Sequence, residues 1–140
     1  MREGIKRAFD KFNIEYMVEA EFDAAHRVSF IPTCSRTHGH TWRLTVYFEA
    51  FEFVDLLVLK RIVKETAKAF DHRDLGDITS EELGARIYDV LVEKLKAAGL
   101  HNVDITCIKL AESRNSAVIM YPWSMLRLEE EGEQECTTQS

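Results

Sequence analysis

The sequence predicts an α+β domain in which an antiparallel sheet carries two helices on one face. Three observations lead there. Residues from Ile14 onward alternate apolar and acidic side chains, the period of a half-buried strand. Two later segments, beginning at Asp55 and at Thr79 or Ser80, repeat apolar residues every three to four positions, as amphipathic helices do. The order is two or three strands, two helices, then two strands, without the regular strand–helix alternation that demands a parallel sheet.

Taken in order, residues 1–13 form an N-terminal arm. Ile5, Ala8, Phe9 and Phe12 fall at helical spacing, so a short amphipathic helix is one form this arm can take. Ile14, Tyr16, Val18, Ala20, Phe22 and Ala24 then share one face of a long strand, opposite Glu15, Glu19, Glu21 and Asp23. Pro32 and several small polar residues make Arg27 to Thr37 a loop. His40, Trp42, Leu44, Val46 and Phe48 define the apolar face of a second strand, and Phe51–Val54 reads as a third after a tight turn near Glu49 and Ala50.

Asp55 is a suitable N-cap for a helix bearing Leu59, Ile62, Val63, Thr66, Ala67 and Phe70. That helix stops before Asp71–Asp77, a run of turn-forming residues. Thr79 and Glu82 have the spacing of a capping box, Leu83, Ile87, Val90, Leu91, Leu95 and Ala98 supply the apolar stripe, and Gly99 ends the second helix. Strands follow at Val103–Glu112 and Ser116–Tyr121, with a turn at Arg114–Asn115 and a stop at Pro122. Two helices cover one sheet face, so Arg43, Thr45 and Tyr47 on the other must meet water or another subunit. The domain is expected over 14–124, and the acidic, polar residues 125–140 are expected to form a flexible tail.

Composition narrows the function. The chain has 140 residues, 46% hydrophobic and 30% charged, the balance of one globular domain. A formal charge of −6 argues against a general nucleic-acid binder. No apolar run approaches the roughly 18 residues of a membrane span, and the start lacks a signal-peptide core. A cytoplasmic protein without a membrane or nucleic-acid partner is expected. Cys34, Cys107 and Cys136 are an odd, widely spaced set, which suits a reducing compartment better than a disulfide framework.

Three of the five histidines lie between His26 and His40. On a strand His38 and His40 project to the same side, and His26 has the parity to face them from an antiparallel neighbour. Three imidazoles on two strands suit Zn²⁺ with one position left open, the pattern of a catalytic site. Taken alone, the spacing leaves two other readings open: ordinary histidines without a metal, or a closed structural site with Cys34 as fourth ligand. Cys34 reads either as an inert buried thiol or, near a metal and Arg36, as a thiol that ionises more readily and so acts as a base or nucleophile. His72 next to Asp71 at a helix end reads either as a partner of the helix dipole or as an oriented acid–base group. Glu112 shares the parity of Ile108 and Leu110, so it either ends the sheet in solvent or serves a ligand.

The segments Phe22-Asp23-Ala24-Ala25-His26 and Cys34-x-x-x-His38-Gly39-His40 resemble the 6-pyruvoyl-tetrahydropterin synthase and 6-carboxytetrahydropterin synthase family, and the resemblance spans roughly residues 14–122. It implies the tunnelling fold, whose sheets join edge to edge into trimeric barrels that stack as hexamers, and hence a homo-oligomer. It also implies Zn²⁺ on His26, His38 and His40, with Cys34, Asp71 and His72 as catalytic residues. Glu112 would anchor the pterin by paired hydrogen bonds, and Thr79 and Ser80 would contribute to substrate binding.

The spacing from Cys34 to His38 looks like the 6-carboxytetrahydropterin branch. The expected reaction is then conversion of 7,8-dihydroneopterin triphosphate to 6-carboxy-5,6,7,8-tetrahydropterin, a step towards deazapurines such as queuosine. The alternatives are 6-pyruvoyl-tetrahydropterin synthase activity on the same substrate, or a zinc- or pterin-binding module without turnover. Three features depart from the family pattern: Asp55-Leu56-Leu57, a short strand connection before it, and Ser113-Arg114 after the glutamate.

Overall fold

A computed structural model describes residues 1–123 of the chain. The elements in order are α1 (Glu3–Lys11), β1 (Ile14–Arg27), β2 (His38–Ala50), α2 (Leu56–Phe70), β3 (Arg73–Asp77), α3 (Ser80–Ala97), β4 (Val103–Ser113) and β5 (Ser116–Met120). A short 3-10 turn, Pro32–Cys34, lies between β1 and β2. The five strands form one sheet in the order β3-β1-β2-β4-β5. All neighbours are antiparallel except β1 and β3, which run parallel.

The period-two pattern of β1 is realised residue by residue. Val18, Phe22, Ala24 and His26 are buried while the intervening acids stay exposed. Its register with β2 places Phe22 opposite Trp42, Ala24 opposite His40 and His26 opposite His38. A bulge in β4 leaves Thr106 unpaired between residues facing Tyr47 and Phe48. It shifts the parity so that Val103 and Ile105 point into the core with Ile108 and Leu110. Glu112 inherits that second parity.

Both long helices begin where side-chain caps satisfy their first amides. Asp55 Oδ1 accepts from Leu57 N at 2.9 Å, and Thr79 and Glu82 form the complete capping box. Leu59, Ile62, Val63 and Ala67 of α2 and Leu83, Ile87, Leu91 and Leu95 of α3 close one face of the sheet. Gly84 faces Met120 so closely that a Cβ would collide with its sulfur, which lets α3 lie tight against β5. Gly99, with φ +72°, ends the helical run where a left-handed residue is needed. The other face carries Glu21, Arg43 and Thr45, with Arg43 paired to Glu21 at 3.2 Å.

Three expectations change. Phe51–Val54 is not a strand: β2 continues through Ala50, and the chain then leaves the sheet to reach the Asp55 cap, with Phe51 and Phe53 exposed. The turn near Glu49 and Ala50 is absent for the same reason. The turn-rich run after Asp71 contains the edge strand β3, parallel to β1. His72 adopts φ +56°, and its amide donates to Asp23 O at 2.6 Å, so one left-handed residue swings the chain from α2 into register with β1. The N-terminal arm is helical, with none of its residues fully buried. The expected tail at 125–140 lies outside the described residues.

Candidate metal centre and neighbouring acid–base pair

The imidazoles of His26, His38 and His40 converge at one end of β1 and β2, with ring centroids 4.7 to 5.2 Å apart. One ring nitrogen from each lies within 4.8 Å of the others, a group able to hold a metal ion. The antiparallel register explains the convergence, since His26 and His38 are direct partners and His40 is two residues along the same face. Trp42, fully buried beneath them, sets its ring edge-on to His26 and His40 and is itself pinned by a hydrogen bond from Nε1 to Ala24 O at 3.2 Å.

Two of the histidines have their tautomer chosen for them. A backbone carbonyl only accepts, so the 2.8 Å contact from His26 Nδ1 to Ile78 O and the 2.7 Å contact from His38 Nδ1 to Arg36 O require N–H at Nδ1. In the neutral ring of this tautomer Nε2 presents the lone pair. This is how metal-ligating histidines are commonly oriented. Among the described residues, the buried His26 Nε2 has no hydrogen-bond partner. Such an orphan costs stability unless something occupies its lone pair. Burial holds the His40 pKa below its usual 6.5; Glu112 pulls it up, and His38 and His26 push it down. Neutral imidazole is the ligating form, so the donor set fits a divalent ion with nitrogen preference.

Glu112, at the end of β4, meets the same site. Its Oε2 lies 3.6 Å from His40 Nε2 and 3.7 Å from His26 Nε2. Cys34 is half-buried in the 3-10 turn, whose backbone is tied to the residue just after β1 by Val28 N donating to Cys34 O at 2.8 Å. Its sulfur is not in the histidine group, so the arrangement gives no support to a closed site with Cys34 as fourth ligand.

A second cluster stands at the neighbouring sheet edge. His72 Nδ1 lies 2.7 Å from Asp71 Oδ2, and Asp71 Oδ1 accepts from the Asp23 amide at 2.8 Å. The Asp23 amide is the largest influence holding the Asp71 carboxyl below the usual carboxylate range, ahead of its bonds to His72. Asp23 in turn accepts from Thr41 Oγ1 at 2.6 Å. An open cavity of about 530 Å³ is lined by residues of both clusters, including His40, Thr41, Asp23 and His72.

Thr79 spends its hydroxyl on the capping box, donating to Glu82 Oε1 and accepting from Glu82 N. Ser80 is half-buried in the first turn of α3. Sequence reasoning did not single out Asp23 or Thr41. No side-chain pattern marks Asp23 for this role, because the groups that bind Asp71 and His72 are its backbone amide and carbonyl.

The fold and donor set define a class first: an α+β protein with a three-histidine site at the open end of two antiparallel strands. The profile of the 6-pyruvoyl tetrahydropterin synthase family matches residues 15–122, and the chain belongs to that family, whose enzymes act on pterins. An Archaeoglobus fulgidus protein provisionally named 6-carboxy-5,6,7,8-tetrahydropterin synthase is 34% identical over 86 residues, 55% of this chain and 75% of that protein. A dihydroneopterin monophosphate aldolase from Pyrococcus furiosus is 41% identical over 63 residues, 42% of this chain and 54% of that protein.

Among solved structures, 6-pyruvoyl tetrahydropterin synthase from Caenorhabditis elegans superposes with a TM-score of 0.65 at 17% identity, covering 79% of this chain and 99% of that one. The Plasmodium falciparum enzyme gives 0.66 at 18%, covering 79% and 98%. At such identities these two structures speak to the fold, which is the tunnelling fold. No helix among the described residues is long and apolar enough to cross a membrane.

Proposed function

We propose that the protein is a zinc-dependent lyase acting on the side chain of a pterin phosphate, converting 7,8-dihydroneopterin triphosphate to 6-carboxy-5,6,7,8-tetrahydropterin. The observation that carries the reading is the buried, unpartnered Nε2 of His26 in a trio of which two members have their tautomers set for ligation. His26, His38 and His40 would hold the ion. Bound there, zinc supplies Lewis-acid polarisation of the substrate's side-chain oxygens.

The chain's own groups do the rest. Cys34 is the proton acceptor on the side chain, and its half-buried place in a backbone-tied turn gives it a fixed approach. His72 holds or returns a proton at Nε2, because Asp71 occupies its Nδ1 and stabilises the imidazolium. Glu112 accepts paired hydrogen bonds from the aminopyrimidinone edge of the pterin. Ser80 and the first amides of α3 contribute to substrate binding, and Thr79 contributes by keeping that helix start in place.

The similarity to the Pyrococcus furiosus aldolase favours a second reading, cleavage of a dihydroneopterin phosphate to a shorter-chain pterin. The third is triphosphate elimination, as in 6-pyruvoyl-tetrahydropterin synthase. Incubating zinc-loaded protein with 7,8-dihydroneopterin triphosphate and, separately, the monophosphate, then identifying every pterin and aldehyde product, separates all three. Binding of zinc and pterin without any product would leave only a non-catalytic module.

A further inference from the structure

The end of β3 reaches three parts of the site at once. His26 Nδ1 donates to the Ile78 carbonyl at 2.8 Å, and Thr79 caps α3. Asp77, the residue before them, gives both carboxylate oxygens to one residue of the loop that carries Cys34. Its Oδ1 accepts from Ser29 N at 3.0 Å, and its Oδ2 accepts from Ser29 Oγ at 2.6 Å. The bonds from Ser29, hydroxyl first and amide second, hold the Asp77 carboxyl below the usual carboxylate range, with the Arg27 charge a lesser influence.

The loop has little else to hold it. From Ser29 to Thr37 every residue is exposed except the half-buried Cys34. Its own bonds close it on itself: Ile31 N donates to Val28 O, Cys34 N to Ile31 O, and Val28 N to Cys34 O. Among the described residues, Asp77 is the one side chain from outside residues 28–38 that hydrogen-bonds to this loop. A hydroxyl donating to a carboxylate at this length is a charge-assisted bond, and two bonds to one residue fix its orientation as well as its place. In solvent the pair adds little to global stability. What it supplies is geometry.

Building on the reading of Cys34 as the base of a metal-assisted reaction, we infer that Asp77 is a positioning residue. Through Ser29 it fixes the Cys34 loop to the same short segment whose next carbonyl orients His26. The placement of the base relative to the metal site is then set by two adjacent residues, Asp77 and Ile78. A misplacement of about 1 Å costs on the order of 10²-fold in rate, so the grip acts on turnover and leaves the histidine site as it is.

The test uses the full-length, zinc-loaded protein with two readouts. One is steady-state turnover of 7,8-dihydroneopterin triphosphate; the other is alkylation of Cys34 by iodoacetamide, located by mass spectrometry. Asp77→Ala should lower kcat on the order of 10- to 100-fold with KM and zinc content nearly unchanged. It should raise the Cys34 alkylation rate on the order of tenfold by loosening the loop, while Cys107, half-buried on β4, reacts as in the wild type. Asp77→Asn should fall in between, because a carboxamide still accepts from Ser29 N and donates to Ser29 Oγ. Ser29→Ala should move both readouts in the same direction as Asp77→Ala, and the double variant should be no worse than Asp77→Ala alone.

Additive effects of the two substitutions would overturn the inference, as would an unchanged Cys34 alkylation rate in Asp77→Ala. Loss of zinc, or a matching rise in alkylation at Cys107, would also overturn it, since Asp77 would then support the fold at large. Should Asp77→Ala not fold, Asp77→Asn and Ser29→Ala decide the matter by the same readouts. Failure of the underlying reading looks different: turnover would be absent in the wild type or survive in Cys34→Ala, while Cys34 alkylation would still answer to Asp77 and Ser29 together.

Discussion

The ring of His26 is held by the carbonyl of Ile78, 52 residues further along the chain, through a 2.8 Å contact at Nδ1. Ile78 is in place because β3 runs parallel to β1 and the Ile78 amide returns a hydrogen bond to Arg27 O at 3.0 Å. The orientation of a ligand on β1 thus depends on an edge strand. The expected stoichiometry is one zinc per chain. Replacing His26, His38 or His40 singly by alanine removes one nitrogen donor and should sharply lower occupancy, measured by metal analysis after dialysis. Undiminished zinc in all three variants would contradict the assignment.

His40 should titrate below its usual 6.5 in the metal-free protein, because burial disfavours its imidazolium. A folded-state pKa below the unfolded one means the unfolded chain takes up the proton first. The stability linked to this group is therefore fully present above the unfolded value and is lost as pH falls through the window beneath it. Following the His40 ring proton by NMR across that range checks the direction. A midpoint at or above 6.5 would contradict it.

Cys34→Ala should retain fold and zinc while losing turnover. The thiolate is assigned to the chemical step, so kcat should fall by the 10²- to 10⁴-fold typical of a lost acid–base group, with substrate binding largely kept. Loss of metal in this variant would instead make Cys34 a ligand.

Much of this site is legible in the sequence, and the reasons are local. Strand parity alone brings His26, His38 and His40 to one face, and the capping signals at Asp55 and Thr79 mark both helix starts because those caps depend only on neighbouring residues. What local pattern cannot reveal is pairing at a distance. Arg73–Asp77 has the composition of a turn and becomes a strand because β1 offers a free edge and His72 accepts a left-handed backbone. Phe51–Val54 has the composition of a strand and finds no edge. The same limit hid Asp23, whose amide and carbonyl clamp Asp71 and His72 through backbone groups that any residue type could have supplied.

The edges of the sheet, β3 and β5, are each only five residues long. Edge-to-edge assembly of identical chains would pair them and would bring one chain's histidines and Cys34 near another's Asp71 and His72. The expected result is a trimer or hexamer with active sites shared between subunits. Mixing inactive Cys34→Ala and His72→Ala chains under subunit exchange should then restore part of the activity. No recovery in verified mixed oligomers, or full activity in a monomer at every dilution, would contradict sharing.

The most direct test of the account is a single incubation: zinc-loaded protein with 7,8-dihydroneopterin triphosphate, all products resolved by mass and fluorescence. The account predicts 6-carboxy-5,6,7,8-tetrahydropterin together with triphosphate and acetaldehyde, at a rate that falls when zinc is removed and returns when it is restored. A 6-pyruvoyl product, a shortened pterin alcohol, or no conversion at full zinc occupancy would contradict it.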